Sequence, residues 1–238
     1  MLWQFSPLEF ESGVFGAPVG RVVPANDGAE LAQLKSAWLE TSQWLVSARI
    51  AVEDQAAEAD LRGAGFTAIE SLVTLHRALA GATPTPDGVR LVREADVESC
   101  LDIARTAFVH DRFHADPRVP DRSADLLKEV WVRNSLEGRA DAVLVAQVEG
   151  AVAGFVTCMV TDAAAAIDLI AVAPGHQGQG IGKRLVRGAL AHYAGDKALM
   201  RVGTQDTNDR SLALYESQDF TRAYAQMTFH WINEEAGP

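Results

Sequence analysis

Hydrophobic residues recur along this chain with two different periods, which separates predicted strands from predicted helices. Runs of small and β-branched residues at 142–147, 151–160 and 167–172 predict three strands, and Glu149-Gly150 predicts a hairpin between the first two. A shorter strand is predicted at 89–92. The second half of the chain is therefore predicted to contain a sheet.

Helical spacing of apolar residues precedes and follows these strands. Asp96 is predicted to cap a first helix, and a second helix is predicted around 126–134. The apolar face of the first helix carries Val97, Leu101, Ala104 and Phe108. A third helix begins at Ile181, and a strand, a helix and a last strand follow it. This order predicts an α/β (mixed α+β) fold in which a mixed sheet carries helices on both faces.

Residues 81–88, Gly-Ala-Thr-Pro-Thr-Pro-Asp-Gly, interrupt these patterns because their prolines and glycines preclude a regular helix or a central strand. They are predicted to form a linker. The linker divides the chain into a partial N-terminal α/β domain, residues 1–80, and a larger domain, residues 89–238.

A weak internal repeat relates these two parts of the chain. Phe66-Thr67 with Thr74 and His76 is matched, at an offset of 154 positions, by Phe220-Thr221 with Thr228 and His230. If the repeat reflects a duplication, the N-terminal part is a truncated copy of the C-terminal fold. The alternative is that the identities arise by chance or because the two strands are similar.

Composition narrows the classes of function. The chain has 238 residues, and 21 Lys and Arg against 32 Asp and Glu give a net charge of −11, which argues against nucleic acid or an anionic membrane as partner. No segment reaches the ~18 apolar residues of a membrane span, and the N-terminus lacks a basic signal-peptide region. Cys100 and Cys158 lie far apart and are expected in the core. A soluble cytoplasmic protein is predicted.

Residues 167–185 carry the strongest functional signal. A β-branched strand runs into a turn containing Gly178, Gly180 and Gly182, and a helix starts at once. Glycines let a backbone approach a ligand closely, and the free N–H groups of a helix N-terminus attract anions. Residues 169–195 contain no Asp or Glu but include Lys183, Arg184 and Arg187. An anion site is predicted, although a tight connection beside a solvated basic face is the alternative.

The spacing of these residues excludes two common phosphate loops. Gly182-Lys183 is followed by Arg184 where a P-loop needs Ser or Thr, and the glycines are spaced G-x-G-x-G instead of G-x-G-x-x-G. The segment does resemble the acyl-CoA motif of the GCN5-related N-acetyltransferase (GNAT) superfamily, Gln/Arg-x-x-Gly-x-Gly/Ala, at Gln177, Gly180 and Gly182. Asp219 stands where the family usually has glycine before its last Phe, which puts that turn in doubt.

The resemblance, over roughly residues 89–231, implies a GNAT fold: a mainly antiparallel mixed sheet in which two parallel strands splay apart. It implies acetyl-CoA as co-substrate and no metal. It further implies two groups of residues that contact CoA. The backbone amides of Gln177, Gly178, Gln179, Gly180, Ile181, Gly182 and Lys183 hold the pyrophosphate, and Leu169, Ile170, Ala171 and Val172 pair with the pantetheine. The resemblance also implies Asn208 as a further CoA contact and Tyr215 as the general acid, whereas a core tyrosine on an amphipathic helix is the alternative for Tyr215.

A closer resemblance, to the dTDP-fucosamine acetyltransferase branch, implies a nucleotide-linked amino sugar as the acetyl acceptor. It is carried by the N-terminal segment 7–16, by Arg112-Phe113 and by Arg201 to Tyr215. Arg112, His114 and Arg118 suit a diphosphate, and Phe113 suits stacking on a base or sugar, whereas an ordinary polar loop is the alternative.

Several points stay open at the level of sequence. His110 and His114 stand four residues apart, but no third ligand at a recognisable spacing supports a metal site. The group that deprotonates the amine is undecided among Glu9, Glu11, His110, His114, Asp168 and solvent. Other acceptors (a different small amine, a peptide N-terminus or an antibiotic), a non-catalytic acyl-CoA-binding domain and a homodimer also stay open.

Overall fold

The computed structural model describes residues 1–79, 81, 84–108, 110–161 and 163–238. The chain forms two compact units that do not follow sequence order. The first unit contains residues 1–72, 110–127 and 224–238, and the second contains residues 73–109 and 128–223. Among the described residues, no helix has the length and apolar character needed to cross a bilayer.

The first unit is a small α/β assembly. Its elements are β1 (Leu2–Pro7), α1 (Glu9–Phe15), β2 (Val19–Ala25), α2 (Leu31–Glu40), β3 (Leu45–Ala51), α3 (Gln55–Gly63) and the start of β4 (Thr67–Ala78). The strand β1 pairs antiparallel with β2, and β2 pairs parallel with β3. The last part of the chain, in β10 (Thr221–Ile232), pairs antiparallel with β3.

Aromatic side chains fill the core of this unit. Trp3, Trp38, Phe229 and Trp231 are all at most 5% exposed and pack with apolar residues of β2, β3 and α3. These aromatics come from distant parts of the chain, so burial of their large apolar surfaces ties the terminal strand β10 to the N-terminal elements.

The second unit has a mixed sheet covered by helices. Its remaining elements are β5 (Val89–Leu91), α4 (Val97–Ala107), α5 (Asp121–Asn134, shared with the first unit), β6 (Ala142–Val148), β7 (Ala151–Val160), β8 (Ala164–Val172), α6 (Ile181–Tyr193), β9 (Leu199–Gln205) and α7 (Asp209–Glu216). The strands β5, β6, β7 and β8 pair antiparallel in that order, and β9 pairs parallel with β8. The predicted fold class, a mainly antiparallel mixed sheet with one parallel pair, is confirmed.

Most elements of this unit lie where the hydrophobic pattern predicts them. Cys100 and Cys158 are fully buried, as expected. The predicted cap of α4 is wrong, because the Asp96 carboxylate accepts from the Arg93 N–H at 2.7 Å and from the Arg90 guanidinium at 2.6 Å. The hydrogen bonds from the Arg90 guanidinium hold the pKa of Asp96 below its usual value, although burial of the carboxylate acts in the opposite direction. The carboxylate therefore fixes the chain before α4 instead of capping it.

The predicted division of the chain at residues 81–88 stays a prediction. Residues 82 and 83 of that linker lie outside the described residues. The two compact units are defined by contacts within each unit, and residues 110–127 and 224–238 belong with the N-terminal segment.

The internal repeat has a local structural counterpart. The Gly65 N–H donates to the Arg62 carbonyl and the Phe66 N–H to the Leu61 carbonyl, and the residues 154 positions later make the same two bonds. These are the bonds of a Schellman motif, which ends a helix on a left-handed residue. Gly65 has φ 89° and Asp219 has φ 60°. Asp219 thus makes the same turn as Gly65, and Tyr215 occupies the position that corresponds to Leu61.

We expect Asp219→Gly to stabilise the protein by about 0.5–1 kcal/mol, because an L-residue is strained in the left-handed region and glycine is not. Asp219 is largely exposed, and its 3.7 Å contact with Arg77 contributes little. Thermal unfolding measures the effect. Asp206→Gly is the control, since Asp206 has no positive φ. Its replacement only raises the conformational entropy of the unfolded chain, which destabilises the protein. Equal melting temperatures for Asp219→Gly and the unchanged protein would contradict strain at this turn.

Candidate active site

A glycine turn connects β8 to α6 and leaves its backbone open. Gly178 and Gly180 have φ values of 75° and 77°, a region that L-residues rarely adopt, and no heavy atom lies within 4 Å of a Cβ built on either. Among the described residues, the N–H groups of Gly178 to Lys183 donate to no backbone carbonyl outside α6 and to no capping side chain. A row of free donors therefore lies at the positive end of a helix of 13 residues.

Gly182 serves a different purpose in the same segment. A Cβ at this position would lie 3.3 Å from Leu214 Cδ2 of α7, so the absence of a side chain allows α6 and α7 to approach closely. The glycines of the motif thus divide into two that set the backbone of the turn and one that sets helix packing.

The parallel pair β8 and β9 separates next to this turn. Pairing runs from Ala164 and Leu199 to Ile167 and Val202 and ends there among the described residues, although both strands continue. On its other side, β8 pairs with β7 as far as Val172, with Asp168 left over as a bulge opposite Thr157 and Cys158. A bulge bends a strand and increases its twist, which accounts for the separation at this point. The expected splay is present in this register.

The bulge also fixes which amides of β8 face the open edge. The Leu169 N–H donates to Thr157 Oγ1 at 3.1 Å and the Ala173 N–H donates to the Ala153 carbonyl at 2.9 Å, both towards β7. Successive residues of a strand point their backbone groups to opposite edges. Ile170 and Val172 therefore present their N–H and C=O groups towards the opening, whereas the amide of Leu169 is occupied.

The Gln177 side chain connects three parts of the site. Its Nε2 donates to the Val172 carbonyl at 3.2 Å, and its Oε1 accepts from Arg210 Nη1 at 2.8 Å. Gln177 thus joins the end of β8 to the first turn of α7. Sequence reasoning missed Arg210, whose signal is a cation in the first turn of a helix, where the helix dipole disfavours positive charge.

The helix α7 carries two of the predicted site residues. Asn208 Oδ1 accepts from the Ser211 N–H at 3.1 Å, so this side chain caps the helix. Tyr215 lies one turn beyond Ser211, is 2% exposed and packs against Phe220 at 5.7 Å between ring centroids. Among the described residues its hydroxyl has no hydrogen-bond partner. Burial raises the pKa of Tyr215, so the phenol stays protonated at neutral pH.

The basic residues of the predicted anion window have separate surroundings. Arg184 Nη2 donates to the Asp87 carbonyl at 2.7 Å and to the Gln147 carbonyl at 3.2 Å, so its guanidinium holds backbone segments together. Lys183 and Arg187 are exposed on α6. The helix therefore keeps exposed cations beside the free amides, but Arg184 is a structural residue.

The stretch predicted to meet the acceptor, residues 110–120, lies in the first unit and is not an ordinary surface loop. Phe113 is 1% exposed between Phe15 and His230, which leaves no room for stacking on a base. Arg118 makes two bonds of 2.8 Å to the Asp116 carboxylate. His114 has Asp111 at 2.6 Å and Asp125 at 3.1 Å from its two ring nitrogens. The expected roles of Phe113, His114 and Arg118 are therefore wrong in this structure.

Two further candidates from the sequence have structural partners. The Asp168 carboxylate accepts from Arg139 Nη1 at 2.8 Å. Both ring nitrogens of His114 are engaged, and no group of three possible ligands in the described parts of the chain is arranged for a metal ion.

In the second unit, the parallel strands of a mixed sheet separate next to a loop of free amides. This arrangement is typical of a class of proteins that bind an extended ligand along a strand edge and its phosphates at a helix N-terminus. Residues 98–220 match the family described as acetyltransferase (GNAT). The chain belongs to this family, whose members use acetyl-CoA as co-substrate.

Individual relatives extend the comparison. The chain is 32% identical, over 143 residues, to the spore coat polysaccharide biosynthesis protein SpsD of Bacillus subtilis strain 168; the match covers 59% of this chain and 50% of SpsD. The chain thus spans about half the length of this curated relative. A GCN5-related N-acetyltransferase from Sphaerobacter thermophilus superposes with a TM-score of 0.67 at 14% identity, covering 100% of this chain and 78% of that one.

A tandem GNAT protein from the clavulanic acid biosynthesis pathway has a TM-score of 0.60 at 16% identity, covering 94% of this chain and 77% of that one. At these identities, the two solved structures show that the fold is shared and carry nothing about the substrate.

Proposed function

We propose that this chain is an N-acetyltransferase that transfers the acetyl group of acetyl-CoA to a primary amine. The observation that carries the proposal is the open edge of β8, where the backbone groups of Ile170 and the N–H of Val172 face the gap, directly before the free amides of Gly178 to Lys183. A strand edge and a helix N-terminus are the two features that an extended chain ending in phosphates requires.

In this proposal the amides of Gln177 to Lys183 bind the CoA pyrophosphate, and the pantetheine adds to β8 along Leu169 to Val172. Its amide groups pair with the Ile170 carbonyl and the Val172 N–H, which face the opening, and the Ile170 N–H is left for the thioester. Gln177 and Arg210 hold the turn against α7, and Asn208 contributes by capping that helix.

The reaction is a direct displacement at the thioester. The amine, after losing a proton to solvent or to an unassigned base, attacks the acetyl carbon, so that a C–N bond forms and the C–S bond breaks. The Ile170 N–H is the donor aimed at the carbonyl oxygen as negative charge develops there. The Leu169 N–H is excluded from this role because Thr157 occupies it.

Tyr215 serves the leaving sulfur in this mechanism. A thiol has a pKa near 8.5 and a phenol near 10, so transfer of the phenolic proton to the thiolate is uphill before burial is counted. Since burial raises the pKa of Tyr215, the transfer becomes still less favourable. Tyr215 therefore donates a hydrogen bond to the departing sulfur, and solvent completes its protonation.

For the acceptor, we propose the amino group of a nucleotide-linked amino sugar of the dTDP-4-amino-4,6-dideoxyhexose type. Two observations support this class: the motifs that resemble the sugar acetyltransferase branch, and the 32% identity to a protein named for spore coat polysaccharide biosynthesis.

Thiol release from acetyl-CoA, measured across dTDP- and UDP-amino sugars, polyamines and peptides, tests both levels of the proposal. We expect release with the 4-amino sugar nucleotides and little above background with polyamines or peptides. Binding of acetyl-CoA without release for any amine would favour a non-catalytic acyl-CoA-binding domain. Release confined to amines other than sugars would overturn the acceptor but keep the acetyltransferase.

A further inference from the structure

One face of the sheet in the first unit is polar, whereas the opposite face forms the aromatic core. Cross-strand pairing places Arg21 beside Ser47 and Arg49 beside Thr228, and His230 lies on the same face as Thr228. Thr228 and His230 are fully buried, so this face is covered and not simply solvated. Residues 112–118 supply part of that cover through the contact of His230 with Asp116 at 2.9 Å.

Arg112 differs from the other arginines of this unit that have ion pairs, because its guanidinium is in none among the described residues. Its guanidinium lies 4.6 Å from the centroid of the Phe113 ring, and its Nε is buried without a hydrogen-bond partner among the described residues. Burial, and then the positive charge of Arg49, lower the pKa of Arg112 to about 10, although Glu11, Glu70 and Asp111 act in the opposite direction. A partly buried guanidinium without an ion pair is costly unless a ligand supplies the anion.

Arg49 provides a second cation close to Arg112. Its Nε donates to Thr228 Oγ1 at 3.1 Å, and its Nη2 lies 3.6 Å from Glu70 Oε1. Burial lowers the pKa of Arg49 despite Glu70, and the nearby Arg21 lowers it further. Three arginines thus lie near one another on one face of a chain whose net charge is −11, and burial is the main cause of the lowered pKa of both Arg49 and Arg112.

Ligand access and an aromatic surface exist on the same face. Arg21 is exposed, and about a third of the Arg49 side chain is exposed. Tyr224 precedes Thr228 by four residues on β10, so it points to the same face, and it is 53% exposed. Its charge interaction with Arg49 indicates that the two side chains are near each other. An exposed phenol ring offers a flat surface for a nucleobase.

We propose that Arg112, Arg49 and Arg21 bind the diphosphate of a nucleoside diphosphate, with Tyr224 against its base. The planar, multi-donor fork of arginine matches phosphate oxygens, and a ligand with two phosphates can engage more than one arginine at once. That the ligand is the nucleotide part of the acetyl acceptor rests on the proposed function; the binding site itself does not.

Isothermal titration of dTDP into the full chain, without acetyl-CoA, tests the site. Arg112→Gln is the informative variant because Arg112 is in no ion pair within the described parts of the chain, so its removal leaves no carboxylate buried alone. We expect dTDP affinity to fall at least tenfold in Arg112→Gln while the melting temperature without ligand stays equal or rises. Arg62→Gln, which removes an arginine of the same unit paired with Glu58 at 2.8 Å, should leave dTDP affinity unchanged.

Further titrations identify which part of the nucleotide each residue binds. Inorganic pyrophosphate should bind more weakly than dTDP and lose affinity in Arg112→Gln, whereas Tyr224→Ala should weaken dTDP but not pyrophosphate. CoA affinity should be the same in all of these variants. No dTDP binding, equal binding in Arg112→Gln and the unchanged chain, or a loss of CoA affinity in Arg112→Gln would each overturn the proposal. Arginine-dependent dTDP binding without acetyl transfer would uphold this site and reject the proposed activity.

Discussion

Replacing Tyr215 with Phe should lower kcat about 100-fold and leave the dissociation constant of acetyl-CoA nearly unchanged. General acids contribute about 10²- to 10⁴-fold, and the raised pKa of Tyr215 limits this residue to hydrogen-bond donation, which places the loss at the lower end. The hydroxyl makes no hydrogen bond to the described residues, so its removal costs the folded chain little. Steady-state kinetics with a titration of acetyl-CoA measure the two quantities separately.

Tyr193→Phe is the matched control for this experiment. Tyr193 is also 2% exposed in the second unit, but its hydroxyl donates to Asp141 Oδ2 at 2.8 Å. Its loss should lower the melting temperature and leave kcat nearly intact. If Tyr215→Phe instead lowered the melting temperature and kept kcat, Tyr215 would be a core residue without a part in the chemistry.

The sequence was sufficient for the local part of the site. The period of β-branched residues, the glycine spacing and the helical stripe from Ile181 are short-range signals, and they located β8, the turn and α6. Tyr215 came from the family resemblance instead, and its position on α7 agrees with the helix predicted before the last strand.

Features of the site that depend on long-range contacts could not be predicted from the sequence. The choice between the Leu169 and Ile170 amides depends on the bulge at Asp168, which exists only once β7 and β8 are paired in register. Arg210 joined the site through a contact with Gln177, 33 residues away.

The acceptor stretch failed for a different reason, because the carboxylates that engage its side chains are close in sequence. Asp116 accepts from Arg118, and Asp111 and Asp125 contact the ring of His114, so these two side chains are not free for a ligand. Arg112 is not distinguishable from them in the sequence, whereas in the structure its buried Nε has no hydrogen-bond partner among the described residues.

The backbone of the glycine turn should be as decisive for CoA binding as Tyr215 is for turnover. In Gly180→Val, a β-branched side chain would have to adopt φ 77°, which is a severe strain for such a residue. The turn would move to relieve it, and the amides of Gly178 to Lys183 would no longer converge. A hydrogen bond to a charged group contributes about 1.5–3 kcal/mol, so loss of one should raise the dissociation constant of acetyl-CoA about 10- to 150-fold.

Gly195→Val separates this effect from simple strain. Gly195 has φ 86° and, like Gly180, no heavy atom within 4 Å of a built Cβ, but it follows α6 at the end away from the turn. Both variants should lose similar stability, and only Gly180→Val should lose affinity for acetyl-CoA in calorimetry. Gly180→Asn should retain most of the affinity, because Asn tolerates the left-handed region. Equal affinities of Gly180→Val and Gly195→Val for acetyl-CoA would show that the turn does not hold the pyrophosphate. That conclusion would not depend on the result for Tyr215.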